Sequence, residues 1–136
     1  MSQPRTVSGF HHAAMKVADF EAVVEFYKKG LGLTEKITWG EGNGRAVMLD
    51  AGNGNYIEVF AGGAGGAVPE GAVLHLALRT ANCDAALAQA VAAGAVVTMA
   101  ARDVTIPSKP QPTPVRIAFC RGLAGEIIEF FQNELT

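Results

Sequence analysis

The chain has 136 residues, of which 49% are hydrophobic, and this length and composition suit a single domain with an apolar core. Lysine and arginine total 11 and aspartate and glutamate total 13, so the net charge of −2 gives no basic surface for nucleic acid or an anionic membrane. No apolar run approaches the roughly 20 residues that span a bilayer, and the amino terminus lacks the apolar core of a secretory signal.

The first predicted elements are a strand over residues 9–17 and a helix that begins after Asp19, whose side chain can cap free amides of the first turn. The helix has an apolar stripe at helical spacing, formed by Phe20, Val23, Val24, Phe26 and Tyr27. Gly30 or Gly32 ends it. Three more strands are predicted at about residues 34–39, 45–51 and 55–61, with glycine-rich turns between them.

A glycine-rich linker over residues 61–71 separates this half from a second series of elements. The second series has a strand at 72–80, a helix capped by Asn82, and strands at about 96–104, 114–120 and 126–132. The two cysteines, Cys83 and Cys120, form no CxxC pair, and we interpret them as reduced thiols of a cytoplasmic protein.

The two halves are related as a sequence repeat. Residues 12–19 align with residues 75–82, since a histidine leads each segment and an Asp or Asn follows seven positions later. Residues 54–60 and 125–131 both read G-x-x-I-E-x-F. The sequence therefore predicts an α+β fold in which two tandem βαβββ modules, at about 9–61 and 72–132, form an open, cupped mixed β-sheet within one domain spanning 1–136.

Alternation along the strands places a histidine or a glutamate at the middle of one face in each of four strands. Those residues are His12, Glu58, His75 and Glu129. A carboxylate buried alone is costly, whereas a divalent cation would offset two carboxylates and accept the lone pairs of two neutral imidazoles. We therefore predict that these four residues bind one divalent metal ion, and the absence of thiolate ligands argues against a closed structural zinc site.

Two other residues compete for places in this set. Alternation points His11 to the helix-facing side of its strand, and the repeat places Leu74 at its position, so we prefer His12 as the ligand. Glu126 competes with Glu129, but it aligns with Asn55 at a strand start, and we expect its side chain to be solvated.

These motifs identify a family resemblance. The segments 12–19, 57–59 and 125–129, together with the Phe26-Tyr27 pair, resemble the vicinal oxygen chelate superfamily, which includes glyoxalase I, methylmalonyl-CoA epimerase, extradiol dioxygenases, and fosfomycin and bleomycin resistance proteins. The resemblance covers about residues 9–132. A complete His–Glu–His–Glu set is most similar to bacterial glyoxalase I, and it implies Ni, Zn or Co as the ion, with Mn or Fe as alternatives.

The resemblance also implies a function, a metal-dependent lyase or isomerase that stabilises an enediolate on a small carbonyl or thiohemiacetal substrate. Glu129 would be the catalytic base and Glu58 its counterpart on the other side of the ion. The Asn with which glyoxalase I contacts glutathione has no equivalent after Glu58, where the chain continues Val59-Phe60-Ala61. The alternatives are an epimerase, an extradiol-type dioxygenase, or a non-catalytic protein that binds a drug or metabolite.

Four further residues are predicted to line the pocket and contact the small-molecule substrate: Lys16, Tyr56, Phe60 and Arg79. Lys16 and Arg79 lie on the pocket face by alternation, where they could meet an anionic group or reach solvent at the strand ends. Such modules commonly pair between chains, which implies a homodimer. Whether the four metal ligands come from one chain or two stays open at this point.

Overall fold

A computed structural model describes residues 10–65, 71 and 73–136. The first half contains β1 (His12–Lys16), α1 (Phe20–Glu25), a π-helical turn (Phe26–Gly30), β2 (Thr34–Trp39), a 3-10 turn (Gly42–Gly44), β3 (Ala46–Gly52) and β4 (Asn55–Phe60). The second half contains β5 (Leu76–Arg79), α2 (Cys83–Ala92), β6 (Val96–Ile106), β7 (Thr113–Arg121) and β8 (Ile127–Gln132). Most of the predicted linker lies outside the described residues.

The predicted α+β class and the two βαβββ modules are confirmed. The strands form two four-stranded mixed sheets, ordered β1-β4-β3-β2 and β5-β8-β7-β6. In each sheet the first strand runs parallel to the last strand of its module, and the other pairs are antiparallel. Both β1 and β5 are edge strands in the described part of the chain, and both are shorter than predicted.

Each helix begins where its capping residue predicts. The Asp19 carboxylate accepts a hydrogen bond from the Ala22 amide at 3.1 Å, and the Asn82 side chain accepts one from the Ala85 amide at 3.0 Å. The helices cover the apolar face of the sheets, and one core cluster includes residues of both modules, such as Val59 and Ile128. No helix in the described ranges is long and apolar enough to cross a membrane.

A hydrogen bond joins the π-helical turn of the first module to the turn before β8 in the second. The Tyr27 hydroxyl, which is fully buried, donates to the Glu126 carboxylate at 2.5 Å, although 99 positions separate the two residues. The expectation that Glu126 is solvated is therefore wrong, because its carboxylate accepts from Tyr27 and from the Ala124 amide. A hydrogen bond to a charged group stabilises a fold by about 1.5–3 kcal/mol, so this contact is a substantial tie between the modules.

The two helical segments approach each other closely at Gly30, which leaves no room for a side chain there. A Cβ atom at Gly30 would lie 2.8 Å from the Cβ of Ala93, which is closer than two carbon atoms can approach. The Gln89 amide donates to the Lys29 carbonyl at 3.1 Å beside this contact. The two helical segments therefore pack with their backbones close together at this point.

Candidate metal centre

The four predicted ligands form two pairs, one in each sheet. His12 Nε2 lies 3.7 Å from Glu58 Oε1, and His75 Nε2 lies 3.1 Å from Glu129 Oε1. Each imidazole therefore turns the same nitrogen toward its carboxylate. Each histidine is about one-third exposed, while each glutamate side chain is nearly buried. The pairs differ in length but repeat the same arrangement of donor atoms.

The sheet register explains why the pairs form. In the parallel pairing of β1 with β4, Ala14 lies opposite Glu58, so His12 is offset from the glutamate by two residues and shares its face. In the pairing of β5 with β8, Ala77 lies opposite Glu129, and His75, the residue immediately before β5, precedes Ala77 by the same two positions. The repeat in the sequence thus becomes a repeat in geometry.

The two carboxylates lie in partly dry surroundings. The relative exposure is 9% for Glu58 and 8% for Glu129, and these are the buried charged residues of the described chain. Burial raises the pKa of the Glu129 carboxyl above its usual value, and the nearby His75 acts in the opposite direction without cancelling the effect. A buried carboxyl with a raised pKa lowers the stability of the fold when it ionises, but it is a suitable general base.

The pKa shift of Glu129 predicts how the stability of the metal-free protein depends on pH. A carboxyl whose pKa is raised by folding favours the folded state below its unfolded pKa, and that contribution is lost as pH rises through the folded pKa. Glu129→Gln has no carboxylate to ionise. We expect the variant to gain stability over the wild type as pH rises from about 4 to about 8.

The measurement is urea unfolding in the presence of a chelator across this pH range. Glu41→Gln, at an exposed position, is the matched control and should follow the wild type. A difference between Glu129→Gln and wild type that does not grow with pH would contradict the assignment of a raised pKa.

Apolar side chains flank each pair, and the register of the neighbouring strands places them there. Met48 lies opposite Glu58, and Ile37 lies opposite Met48 and is 53% exposed. The second sheet repeats this row with Phe119 opposite Glu129 and Met99 opposite Phe119. The Phe119 ring lies 5.4 Å from the His75 ring in an edge-on contact. Sequence reasoning missed these residues, because their place depends on strand pairing rather than on the repeat.

The predicted substrate-contacting residues lie on the same faces. Tyr56 is half-buried, and the Phe60 ring lies 6.0 Å from that of Trp39, which is 40% exposed. Lys16 is exposed at the end of β1. Arg79 donates to the backbone oxygen of Thr136 at 2.5 Å. Their roles stay predictions.

His11 does not point to the helix-facing side, so that expectation is wrong. His11 lies immediately before β1, so the alternation within the strand does not fix the direction of its side chain. The His11 ring instead lies 5.1 Å from the Tyr56 ring, and its Nδ1 lies 3.0 Å from the Nδ1 of His12. His11 therefore belongs to the surroundings of the first pair.

The two pairs do not meet within one chain. Among the described residues, no group of three or more His, Cys, Asp or Glu side chains is placed to hold a metal ion. A groove of about 970 Å³ has residues of β1 and β5 among its lining, including His12 and His75. The chain thus presents two candidate half-sites of a metal centre, each with one imidazole and one carboxylate.

Residues 9–114 match the family model described as the glyoxalase/bleomycin resistance protein/dioxygenase superfamily. The chain belongs to this superfamily. The resemblance stated from the motifs is confirmed at that level. No curated protein matches the sequence significantly.

Three solved structures show the same fold. TnmS3, an antibiotic-binding protein from Streptomyces sp. CB03234, is 21% identical, with a TM-score of 0.67 over 96% of this chain and 100% of that one. FosX, a fosfomycin resistance protein from Listeria monocytogenes complexed with Mn(II), is 16% identical, with a TM-score of 0.71 over 96% and 94%. Glyoxalase I from Zea mays is 15% identical, with a TM-score of 0.69 over 91% of this chain and 45% of that one.

The donor atoms in each half-site fit a divalent cation of the kind that superfamily members commonly bind. Imidazole nitrogen and carboxylate oxygen suit the first-row divalent metals, and each buried carboxylate carries a charge that a cation would offset. Two donors are too few for a closed site. The fit is therefore complete only when a His12–Glu58 pair and a His75–Glu129 pair come together.

Proposed function

We propose that this chain is a metal-dependent lyase or isomerase of glyoxalase I type, which acts on a small carbonyl compound through an enediolate. Its metal ligands are His12, Glu58, His75 and Glu129. The observation that carries the proposal is the repeated pair, in which an imidazole Nε2 faces a nearly buried carboxylate in each sheet. A reduced, cytoplasmic protein is part of the same proposal.

A second copy of the chain completes the centre in this proposal. The pairs lie apart within one chain, and β1 and β5 are edge strands among the described residues, so their outer backbone groups are free to pair. Exposed apolar residues on the open face of the first sheet, Ile37 and Trp39, favour burial against another surface. A homodimer would bring the first pair of one chain to the second pair of its partner.

The proposed chemistry assigns different work to the two carboxylates. A divalent ion held by these residues would supply Lewis-acid stabilisation of negative charge on the substrate oxygens. Glu129 takes the proton from the substrate carbon, since burial raises its pKa toward that of a carbon acid. Glu58 lies in the corresponding position of the other half-site and remains a ligand.

The open faces favour a small substrate with an apolar part. Phe119 and Met48 flank the two carboxylates, and Phe60 lies at the end of the Glu58 strand. These side chains exclude water from the reacting carbon and strengthen the electrostatic interactions there. Since the glutathione-contacting Asn has no equivalent here, the proposal does not require a glutathione conjugate.

Metal binding by untagged, chelator-treated protein tests the proposal. We expect isothermal titration calorimetry with Zn²⁺ to give one ion per chain and light scattering to give a dimer. Glu58→Gln and Glu129→Gln should each weaken binding by more than about 100-fold, beyond the usual cost of losing an outer-shell partner. Glu41→Gln is the control and should bind as the wild type does. A wild type that binds no Zn²⁺ would exclude the metalloenzyme.

A second candidate is a non-catalytic binding protein that holds a drug or metabolite between the same faces. The exposed Trp39 ring beside Phe60 favours it, because flat aromatic surfaces bind apolar ligands well. The fold shared with the antibiotic-binding TnmS3 is compatible with this reading. The titration separates the two candidates, since a binding protein of this kind needs no metal.

A further inference from the structure

His12 follows another histidine, His11, whereas its counterpart in the second module, His75, follows Leu74. The Nδ1 atoms of His11 and His12 are 3.0 Å apart, which is hydrogen-bond distance. Because both atoms are ring nitrogens, one of them must carry the proton and the other must accept it. The contact therefore couples the tautomer of His12 to His11.

Two contacts with Tyr56 hold His11 in place. Its ring packs on Tyr56 with centroids 5.1 Å apart, and its backbone carbonyl accepts a hydrogen bond from the Tyr56 amide at 2.9 Å. Tyr56 belongs to β4, the strand that also carries Glu58. The position of His11 is thus tied to the strand that supplies the carboxylate of the first half-site.

The direction of the hydrogen bond follows from the other nitrogen of His12. Its Nε2 is 3.7 Å from Glu58 Oε1, which is too long for a hydrogen bond, so a proton on Nε2 would find no acceptor in that carboxylate. A proton on Nδ1 has His11 as its acceptor. The Nδ1–H form of neutral His12 is therefore favoured, and this form leaves the Nε2 lone pair free.

In the second half-site the other tautomer of the imidazole is favoured. Leu74 occupies the position that corresponds to His11, and a leucine side chain cannot accept a hydrogen bond. His75 Nε2 lies 3.1 Å from Glu129 Oε1, so in the metal-free protein a proton on Nε2 is stabilised by that carboxylate, and this proton must leave before Nε2 can bind an ion. The two half-sites are alike in their donor atoms but differ in where the imidazole proton rests.

We propose that His11 is a positioning residue that fixes the tautomer of His12. Its Nδ1 accepts the Nδ1–H of His12 and leaves the His12 Nε2 lone pair directed at the divalent ion of the proposed function, on which this inference rests. In a ligating histidine, the N–H of the second ring nitrogen usually donates a hydrogen bond to a neighbouring acceptor, which fixes both tautomer and ring orientation. His11 supplies that acceptor to the first half-site only.

Nitrogen-15 NMR of the metal-free protein at alkaline pH, where imidazoles are neutral, tests the tautomer directly. We expect His12 to show a protonated Nδ1 and an unprotonated Nε2. His11→Phe keeps a ring against Tyr56 but removes the acceptor, and it should shift His12 toward the Nε2–H form. His11→Asn loses the ring but keeps an acceptor near the Nδ1 position, and it should retain the wild-type pattern. His75 is an internal reference in all three proteins.

Calorimetry with Zn²⁺ gives the second readout. We expect His11→Phe to weaken binding by about 10-fold or more, while His11→Asn stays closer to the wild type. A wild-type His12 with its proton on Nε2, or a His11→Phe variant with unchanged tautomer and affinity, would overturn the inference. If the wild type binds no Zn²⁺, the proposed function fails instead, and the metal-free NMR comparison still decides whether His11 sets the tautomer of His12.

Discussion

Mixing the Glu58→Gln and Glu129→Gln proteins should restore the metal binding that each of them lacks alone. In a two-fold symmetric dimer, each proposed centre takes the His12–Glu58 pair from one chain and the His75–Glu129 pair from the other. A mixed dimer therefore collects both substitutions in one centre and neither in the second. With free exchange of chains, about half of the dimers are mixed and about a quarter of all centres are intact.

The experiment measures tightly bound Zn²⁺ per chain after the variants are mixed in equal amounts and incubated. Isotope labelling of one variant, followed by native mass spectrometry, establishes that the chains have exchanged. A chain that carries both substitutions is the matched control, because its mixture with either single variant leaves no intact centre. Exchange without recovery of metal binding would show that the centre is not shared between chains.

Glu129→Gln should lose proton abstraction from carbon more completely than Glu58→Gln does. General-base catalysis contributes about 10²–10⁴-fold, so removal of the base should lower kcat by at least about 100-fold. Glu58→Gln also removes a proposed ligand, but it leaves the carboxyl whose pKa burial raises. Measuring both variants at saturating metal separates the loss of the base from the loss of a ligand.

Exchange of the carbon-bound hydrogen of hydroxyacetone in D₂O reports this step whatever product forms, and methylglyoxal with glutathione tests the glyoxalase reaction itself. Both assays are followed by proton NMR. Equal losses in the two variants would remove the distinction between base and ligand. Wild-type activity on neither compound, with metal bound, would direct attention to other carbonyl substrates, and catechol-dependent oxygen uptake with Fe(II) would favour the dioxygenase.

The placement of each histidine beside a glutamate could be predicted from the sequence because it depends on local rules. Alternation along a strand and the repeated G-x-x-I-E-x-F segment place His12 and Glu58, and likewise their counterparts, on matching faces. The parallel pairing of the first and last strands of each module then gives both pairs the same offset. Nothing in this argument requires knowledge of how the modules pack.

The features that were mispredicted or missed depend on distant contacts or on the position of a strand end. The sequence predicts Glu126 in solvent, but its hydrogen-bond partner Tyr27 lies in the other module. His11 lies one residue before its strand begins, and a strand boundary cannot be read from sequence to a single residue. Ile37 reaches the row of Glu58 only through an irregular register in β2. Such contacts are set by packing, which a linear pattern does not contain.

Trp39 is the only tryptophan of the chain, and it lies partly exposed on β2 in edge contact with Phe60. Indole emission therefore originates from a single ring on the face that carries the first half-site. If another surface or a ligand covers that face, the emission maximum will move to shorter wavelength without any attached dye. The protein carries its own optical probe for whatever covers that face.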